Sequence, residues 1–464
     1  MIKEDIICAV STASGMGAIA VIRLSGEGCI ALVERIYKSP AGKQLQEAAA
    51  NTVHFGRIME KGEIVDEVLV TIFHAPHSFT GEESVEIACH GSVYIQQRLL
   101  KLLIDTGARL ATPGEFTQRA FLNGKMDLSQ AEAVADLIAS SSAASHRMAI
   151  NQMKGGFSAE LMKLRAELLR ITSLLELELD FSEEDVEFAD RSELLRLAGN
   201  IEALLERLCR SFSLGNVIKN GVPVAIVGNT NVGKSTLLNT LLQEEKAIVS
   251  DIAGTTRDVI EDTVSLNGIT FRFIDTAGIR TTSDEIENMG IERTFSKISQ
   301  ASIVLLLTDL QRGAESFEEY YCEVKKHLTD TAKLIIVLNK TDQVEDLLTP
   351  QETIRLFTSG EQIIPISART GFNLEVLIHE LTDVVNLNEL NSSDVIVNNV
   401  RHYEALQHAL SAIQRVHSGL QSDLSGEFIS QDIRECLHYL GEITGEITTD
   451  EVLGNIFERF CIGK

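Results

Sequence analysis

Short apolar runs separated by turn residues characterise the first part of the chain. Three of these runs, at residues 18–24, 67–73 and 85–89, are rich in Val, Ile and Leu, and each has the length of a strand. Residues 96–104 follow with apolar side chains at helical spacing. This mixture of strands and a helix predicts an α+β domain over residues 1–122.

From Asp127 onward the pattern changes to that of long helices. Five apolar residues recur at alternating spacings of three and four, which places them on one face of a helix. They are Leu161, Leu164, Leu168, Ile171 and Leu175. Met162 and Leu169 are expected to widen this buried stripe, which we interpret as the core of a helical bundle.

Two further segments, 191–210 and 399–460, also carry helical patterns. Neither helical region is large enough to bury a good core of its own. We therefore expect one helical domain in two parts, 123–215 and 383–464, whose halves pair in space and are interrupted by a domain inserted at 216–382. The predicted fold class is multidomain, α/β plus α.

A glycine-rich segment follows the apolar run at 224–227 and precedes a helical pattern. Its sequence from Gly228 to Ser235 is Gly-Asn-Thr-Asn-Val-Gly-Lys-Ser. This is the context of a phosphate-binding loop, because glycines let backbone N–H groups face a polyphosphate and the helix end adds partial positive charge. Lys234 can reach the terminal phosphates and the Ser235 hydroxyl can ligate Mg²⁺. The predicted nucleotide contacts here are Asn231, Val232, Gly233, Lys234, Ser235 and Thr236.

Three more motifs follow in the order of a GTPase, each after a strand-like run. A carboxylate at Asp275 can hold magnesium through water, and the glycine of the same motif can donate its N–H to a γ-phosphate. Asp342 is suited to accept hydrogen bonds from the ring N–H and amino group of guanine, a donor pair that adenine lacks. The third motif can support the base from the other side. The residues of the three motifs are Asp275, Thr276, Ala277 and Gly278; Asn339, Lys340 and Asp342; and Ser367, Ala368 and Arg369.

The composition limits the class of protein. The chain has 464 residues, enough for several domains, and no apolar run of membrane-spanning length. Its N-terminal residues lack the features of a signal or transit peptide, and its seven cysteines are scattered without a C-x-x-C pair. We therefore expect a cytoplasmic protein in a reducing compartment, with no membrane partner, disulfide framework or zinc site.

The net charge of −26 bears on any nucleic-acid partner. Electrostatics of this sign repel a phosphate backbone, and the chain has no long Lys/Arg cluster. A nucleic-acid role therefore requires a local basic patch or a partner that supplies one.

Motifs outside the GTPase core carry a resemblance over nearly the whole chain. They lie at residues 21–26, 80–86, 113–125, 251–258 and 461–464, the last being Cys-Ile-Gly-Lys. With these motifs the chain resembles the MnmE (TrmE) family of bacterial tRNA-modification GTPases. The resemblance implies an N-terminal domain similar to folate-binding aminomethyl-transfer proteins, a helical domain interrupted by a Ras-like P-loop GTPase domain, and a homodimer.

The resemblance also implies an activity and its partners. The family acts with the flavoprotein MnmG (GidA), here expected in a complex of heterotetramer type. Together they modify carbon 5 of the wobble uridine in certain tRNAs, adding an aminomethyl or carboxymethylaminomethyl group. The one-carbon unit comes from 5-formyltetrahydrofolate or a related folate. Four positions match the family's folate contacts: Arg23, Glu86, Lys125 and Lys464.

Hydrolysis of GTP is expected to use an unusual set of groups. The residue after the Asp-x-x-Gly motif is Ile279, which cannot orient water by hydrogen bonding as the glutamine of Ras-like enzymes does. In the family a glutamate farther along takes this role, and it matches Glu287, with Glu285 as the alternative. The family uses K⁺ in place of an arginine finger, which puts a positive charge where the transition state needs one.

The same resemblance assigns the ion ligands and the loop that closes over them. The residues that match K⁺ ligands are Asn231, Ser250, Ile252 and Thr255, and those that match Mg²⁺ ligands are Ser235 and Thr256. The predicted GTP-binding residues of the loop are Ser250, Asp251, Ile252, Ala253, Gly254, Thr255 and Thr256.

Two alternatives stay open at this point. Cys461 is either a nucleophile whose pKa is lowered by nearby Lys464 or a small buried apolar residue. A ribosome-assembly GTPase would share the same GTPase motifs, although such a factor more often carries a basic RNA-binding module.

Overall fold

The structure is a computed structural model, and most of the chain is described. The described residues are 5–180, 191–229, 231–246, 262–274, 298–309, 314–329, 332–344, 352, 354–355, 358, 360–384, 395–422, 424–458, 460 and 462–463. None of the helices in these parts of the chain has the length and apolar character needed to cross a membrane.

Strands and helices are numbered here in chain order. The strands are β1 Ile7–Val10, β2 Ile19–Ser25, β3 Tyr37–Lys38, β4 Thr52–Glu60, β5 Glu63–Phe73, β6 Ser84–His90, β7 Arg109–Leu110, β8 Val222–Val227, β9 Asp262–Leu266, β10 Ile269–Phe273, β11 Ile303–Asp309, β12 Lys333–Asn339 and β13 Gln362–Pro365. The helices are α1 Cys29–Glu34, α2 Val93–Thr106, α3 Glu115–Leu122, α4 Leu128–Ala139, α5 Ala143–Met153, α6 Gly156–Asp180, α7 Arg191–Asn220, α8 Lys234–Lys246, α9 Ala314–His327, α10 Leu374–Val384, α11 Val400–Gln421, α12 Gly426–Thr444 and α13 Asp450–Phe457.

The first sheet contains the strands that the apolar runs predicted. Its order is β3-β4-β5-β6-β2-β1-β7, and neighbours are antiparallel except β1 and β7, which are parallel. The predicted runs correspond to β2, β5 and β6, and the predicted helix to α2, so these predictions are confirmed. β4 and β5 form a hairpin in which Lys61 and Gly62 both have positive φ, 49° and 89°, as a type I′ turn requires.

Each face of this sheet packs differently. One face, with Ile22 and Leu24 of β2, shares a core with Leu99 and Leu103 of α2. Side chains alternate across a strand, so neighbouring positions face the other side. There a smaller cluster contains Ile7, Ala9, Ala111 and Phe116.

Long helices from distant parts of the sequence pack together in the same part of the molecule. α6 packs along α12, and Arg165 of α6 pairs with Glu446 at 2.6 Å. The predicted stripe of α6 is buried at all five positions, so that prediction is confirmed. The expectation for Met162 and Leu169 is wrong, because these side chains are 56% and 50% exposed. Each follows a buried residue directly, and a step of one residue turns a helical side chain away from the packed face.

The second sheet has the order β13-β12-β11-β8-β10-β9. All neighbours are parallel except β9 and β10. Apolar clusters cover it on both faces, as expected for a parallel sheet. After β8 the chain adds β10 on one side and later β11 on the other, so the carboxyl end of β8 is a topological switch point, where α/β sheets bind their ligands.

The chain divides into two compact units. One comprises Met1–Ile138, Asn151–Gly199 and His408–Lys464, and the other Ala139–Ile150 and Asn200–Gln407. The seven-stranded sheet lies in the first unit and the six-stranded sheet in the second. The boundary expected between residues 215 and 216 falls inside α7.

Candidate functional sites

The glycine-rich loop leaves the carboxyl end of β8 and enters α8 at Lys234, as predicted. Gly228 has φ +151°, and a Cβ at this position would lie 2.2 Å from the carbonyl oxygen of Leu307 in β11. Gly233 has φ +100°, and Asn231 also has positive φ, 62°. Backbone of this kind favours glycine and asparagine, the residues that the chain has at these three positions.

Lys234 lies at the N-terminus of α8 with its ammonium inside the loop. Its Nζ donates to the carbonyl oxygens of Gly228 and Asn229 at 2.7 and 2.8 Å. Ser235 follows it in the first turn of the helix, where backbone N–H groups lack helical partners. A charged amine, the backbone N–H groups of the first turn and a hydroxyl therefore meet at the positive end of a helix dipole. Asn231 and Thr236 are exposed on either side.

Asn339, the last residue of β12, connects this loop to the base-reading motifs. Its Nδ2 donates to the carbonyl oxygen of Val232 at 2.8 Å, and its Oδ1 accepts the Ala368 N–H at 2.9 Å. The side chain is 2% exposed. A Cβ on Gly233 would lie 2.2 Å from Nδ2. The amide of Asn339 therefore fixes the distance between the phosphate-binding loop and the segment that begins at Ser367.

The remaining base-reading residues lie beside Asn339. Asp342 accepts a hydrogen bond from Ser367 Oγ at its Oδ1, 2.7 Å away, and its side chain is otherwise exposed. Lys340 has φ 66°, and its Nζ lies 2.6 Å from Oδ2 of the buried Asp309. Arg369 is exposed. The structure thus gathers the described parts of the predicted GTP site at one end of the parallel sheet.

Other predicted site residues lie outside the described part of the chain. They are Ser250, Asp251, Ile252, Ala253, Gly254, Thr255, Thr256, Asp275, Thr276, Ala277, Gly278, Glu287, Cys461 and Lys464.

A second candidate site lies on the N-terminal sheet. Arg23 of β2 and Glu86 of β6 are cross-strand partners, and Glu86 Oε1 accepts hydrogen bonds from Arg23 Nε and Nη2 at 3.0 and 2.8 Å. The guanidinium also lies over two rings, 5.4 Å from the centre of Phe79 and 5.8 Å from that of Phe116. The two residues that match folate contacts are therefore ion-paired, and a ligand has to share or replace this pair.

Lys125, a third predicted folate position, and Gly463, the described neighbour of Lys464, both make contacts in this part of the molecule. Lys125 is exposed, and its Nζ donates to the carbonyl oxygen of Pro76 at 2.9 Å. Next to Lys464, Gly463 accepts a hydrogen bond from Ser11 Oγ at 3.1 Å. With φ +95°, Gly463 approaches so closely that a Cβ would lie 2.3 Å from the carbonyl oxygen of Val10. The C-terminal segment thus contacts the end of β1, whose Ala9 pairs with Arg23.

A network of charged residues lies next to this site. Glu115 bonds to Arg109 through both carboxylate oxygens, and to Arg119 at 3.1 Å. Burial alone would raise the pKa of Glu115, but hydrogen bonds from Arg109, the Thr112 N–H and Arg119 lower it to about 2. The same two arginines lower the pKa of Asp5 against the opposing effect of its burial.

Sequence reasoning assigned no role to several of these residues. Asp309 ends an apolar run at the carboxyl end of a parallel strand, a position at which polar residues often serve a ligand site. Three more lie in or beside the motifs given above: Phe79, Glu82 and Arg119. They are brought together by tertiary contacts, which the spacing of residues along the chain does not reveal.

Comparisons with known proteins identify relatives over the whole chain. Residues 6–125 match the family model described as the GTP-binding protein TrmE N-terminus, and residues 128–461 match that of the MnmE helical domain. The tRNA modification GTPase MnmE of Parabacteroides distasonis is 58% identical over 461 residues, covering 99% of both chains. That of Bacteroides thetaiotaomicron is 56% identical over 466 residues and covers 100% of both.

Among solved structures, a GTP-binding protein from Sulfolobus solfataricus in complex with GDP aligns over 49% of this chain and 68% of the other protein's chain. The identity is 19% and the TM-score is 0.29, too low to support a statement about the fold.

Proposed function

We propose a detailed activity for this chain, which belongs to the MnmE family of tRNA modification GTPases. The chain is an enzyme that hydrolyses GTP and acts in tRNA modification. The observation that carries this conclusion is the match to a tRNA modification GTPase at 58% identity over 99% of both chains. A ribosome-assembly role is disfavoured, because the match includes the N-terminal and helical regions as well as the GTPase motifs.

For hydrolysis, we assign the phosphates to the loop between β8 and α8 and the guanine to Asp342. The Ser235 hydroxyl, at the positive end of α8, suits Mg²⁺, which prefers oxygen ligands. Asn231 is exposed with a left-handed backbone, so its neutral amide oxygen is available to a monovalent ion such as K⁺. Thr256 is the proposed second Mg²⁺ ligand, and Ser250, Ile252 and Thr255 are the further K⁺ ligands. Glu287 is proposed to orient the attacking water.

When bound, magnesium and potassium would supply positive charge near the phosphate oxygens, where negative charge develops in the transition state. Residues of the chain itself bind and orient the nucleotide. Lys234 holds the terminal phosphates, Asn339 keeps the loop at a fixed distance from the base-reading residues, and Asp342 selects guanine.

The N-terminal face is the proposed folate site. Arg23 and Lys125 suit the anionic glutamyl tail. Glu86 suits the amino edge of a pterin, but that edge and the tail lie at opposite ends of a folate, so Glu86 can take this role only when the ligand separates it from Arg23, 2.8 Å away. Gly463 contacts the same sheet, which supports a contribution from the neighbouring Lys464. The ring of Phe79, which lies beside Arg23 and is 37% exposed, also offers an apolar surface for a flat heterocycle.

The proposed assembly follows the family. The GTPase domain, 216–382, is inserted between helical parts 123–215 and 383–464, and the packing of α6 on α12 supports this arrangement. The N-terminal domain, 1–122, is proposed to form the homodimer. The proposed partners are MnmG (GidA) and tRNA, and the proposed location is the cytoplasm. MnmG, a flavoprotein, is proposed to supply the flavin chemistry.

The experiment that tests this function is mass spectrometry of tRNA nucleosides from cells lacking the gene. We expect loss of the modified wobble uridines, restored by the wild-type gene and by the exposed-site variant Lys154→Ala, but not by Lys234→Ala. Unchanged wobble uridines in the deletion strain would contradict the proposal.

A further inference from the structure

The loop between β5 and β6 (residues 74–83) connects the proposed folate contacts to one another. It carries Phe79, whose ring lies under the guanidinium of Arg23. Its Pro76 carbonyl oxygen accepts the bond from Lys125. Its Thr80 carbonyl oxygen accepts a bond from Asn123 Nδ2 at 2.8 Å. The position of this loop therefore affects where the side chains of Arg23 and Lys125 lie.

Glu82 holds the loop in place. Its Oε2 accepts a hydrogen bond from Ser25 Oγ at 2.7 Å and lies 3.2 Å from Nη1 of Arg119. Ser25 and Arg23 are alternate residues of β2 and share one face. Two residues of a strand span about 7 Å, so the carboxylate of Glu82 lies within reach of Arg23.

Arg119 binds Glu82 from the buried side. Its side chain is 5% exposed, and it also contacts Asp5 and Glu115, at 2.6 and 3.1 Å. Arg109 pairs with the same two carboxylates. Within the part of the chain that the structure describes, Glu82 forms an ion pair with Arg119 and with no other cation. Loss of Arg119 would therefore leave Asp5 and Glu115 with a cation and leave Glu82 without one.

We infer that Arg119 is a positioning residue for the folate site, an inference that rests on the proposed function. Arg119 acts through Glu82 in two ways. It fixes the loop that carries Phe79 and accepts the bond from Lys125. It also neutralises Glu82, so that Arg23 stays directed at Glu86 and the ligand instead of turning to a second carboxylate on the same face.

The test compares Arg119→Gln with the matched control Arg109→Gln by titrating the full-length protein with 5-formyltetrahydrofolate in a calorimeter. Both variants lose ion pairs to Asp5 and Glu115, and both are expected to unfold at a lower temperature. Arg119→Gln is expected to weaken folate affinity by about tenfold, and Arg109→Gln by less than about twofold. Equal weakening in the two variants would overturn the inference, as would wild-type affinity in Arg119→Gln.

A double-mutant cycle with Glu82→Gln separates positioning from general stability. Both changes remove the same ion pair, so their effects on folate affinity should not add. Additive effects would show that Arg119 acts through its other partners and would overturn the inference. Folate binding by the wild type is the separate test of the proposed site. A wild-type protein that fails to bind would refute that site, and this inference with it.

Discussion

The substitution Asn339→Asp tests whether one buried amide holds the nucleotide site together. The carboxylate can still accept the Ala368 N–H, but it cannot donate to the carbonyl oxygen of Val232, which the amide contacts at 2.8 Å. At 2% exposure, the new charge also has little access to water. An unsatisfied buried polar group costs about 1–3 kcal/mol, and an unpaired buried charge costs more.

We therefore expect Asn339→Asp to destabilise the GTPase part of the chain by at least about 3 kcal/mol at pH 7. That corresponds to a fall of about 6 °C or more in the unfolding temperature, measured by scanning calorimetry of the full-length protein. The affinity for a fluorescent guanine nucleotide should fall as well, because the phosphate-binding loop loses its contact with the base-reading segment. Burial should raise the pKa of the new carboxyl, so the deficit should shrink at acidic pH.

Asn220→Asp is the matched control. It makes the same chemical change at the exposed last residue of α7, where the amide donates to Asn216. A negative charge at this end of a helix is unfavourable, but it should change stability by no more than about 1 kcal/mol. Equal unfolding temperatures for wild type and Asn339→Asp would refute the argument that Asn339 links the two loops.

Three further expectations follow from particular contacts. Gly233→Ala should abolish measurable GTP binding in a nucleotide titration, since φ is +100° and the new Cβ would lie 2.2 Å from Asn339 Nδ2; retained binding would contradict the loop geometry. Glu115→Gln should destabilise the protein by about 3 kcal/mol at pH 7. Because the wild-type pKa is lowered from 4.5 to about 2, that deficit should persist above pH 4.5 and disappear as the pH falls toward 2, in melting curves recorded against pH. Asp342→Asn should weaken GTP binding and improve binding of a xanthine nucleotide, because it replaces an acceptor with a donor; unchanged GTP affinity would show that Asp342 does not read the base.

Local patterns were enough to predict the phosphate-binding loop and much of the framework. The loop needs a strand, small or left-handed residues and a helix N-terminus in immediate succession, and all three can be read along the chain. The buried stripe of α6 was likewise visible as a helical period. The hairpin of β4 and β5 was missed, because Lys61-Gly62 is not one of the residue pairs that strongly indicate a two-residue hairpin turn.

The contacts that position the N-terminal site could not be predicted, because they depend on strand register. A shift of one residue between β2 and β6 would move Glu86 to the opposite face from Arg23. The same limit applies to Glu82 and Arg119, which belong to separate motifs and meet because α3 packs beside β1. Sequence patterns show which residues face a core, but they do not show which charged residues face each other.

The ion pair between Arg23 and Glu86 also bears on how a ligand would bind. Both side chains are partly exposed, 23% and 30%, and a pair of this kind contributes at most about 1 kcal/mol. An anionic ligand can therefore displace Glu86 from Arg23 at little cost. The rings of Phe79 and Phe116 remain against the guanidinium when that happens, and each such contact is worth about 0.5–1 kcal/mol. As long as Arg119 neutralises Glu82, Arg23 thus keeps its orientation whether or not Glu86 is bound to it, which lowers the entropy cost of binding an anion at this face.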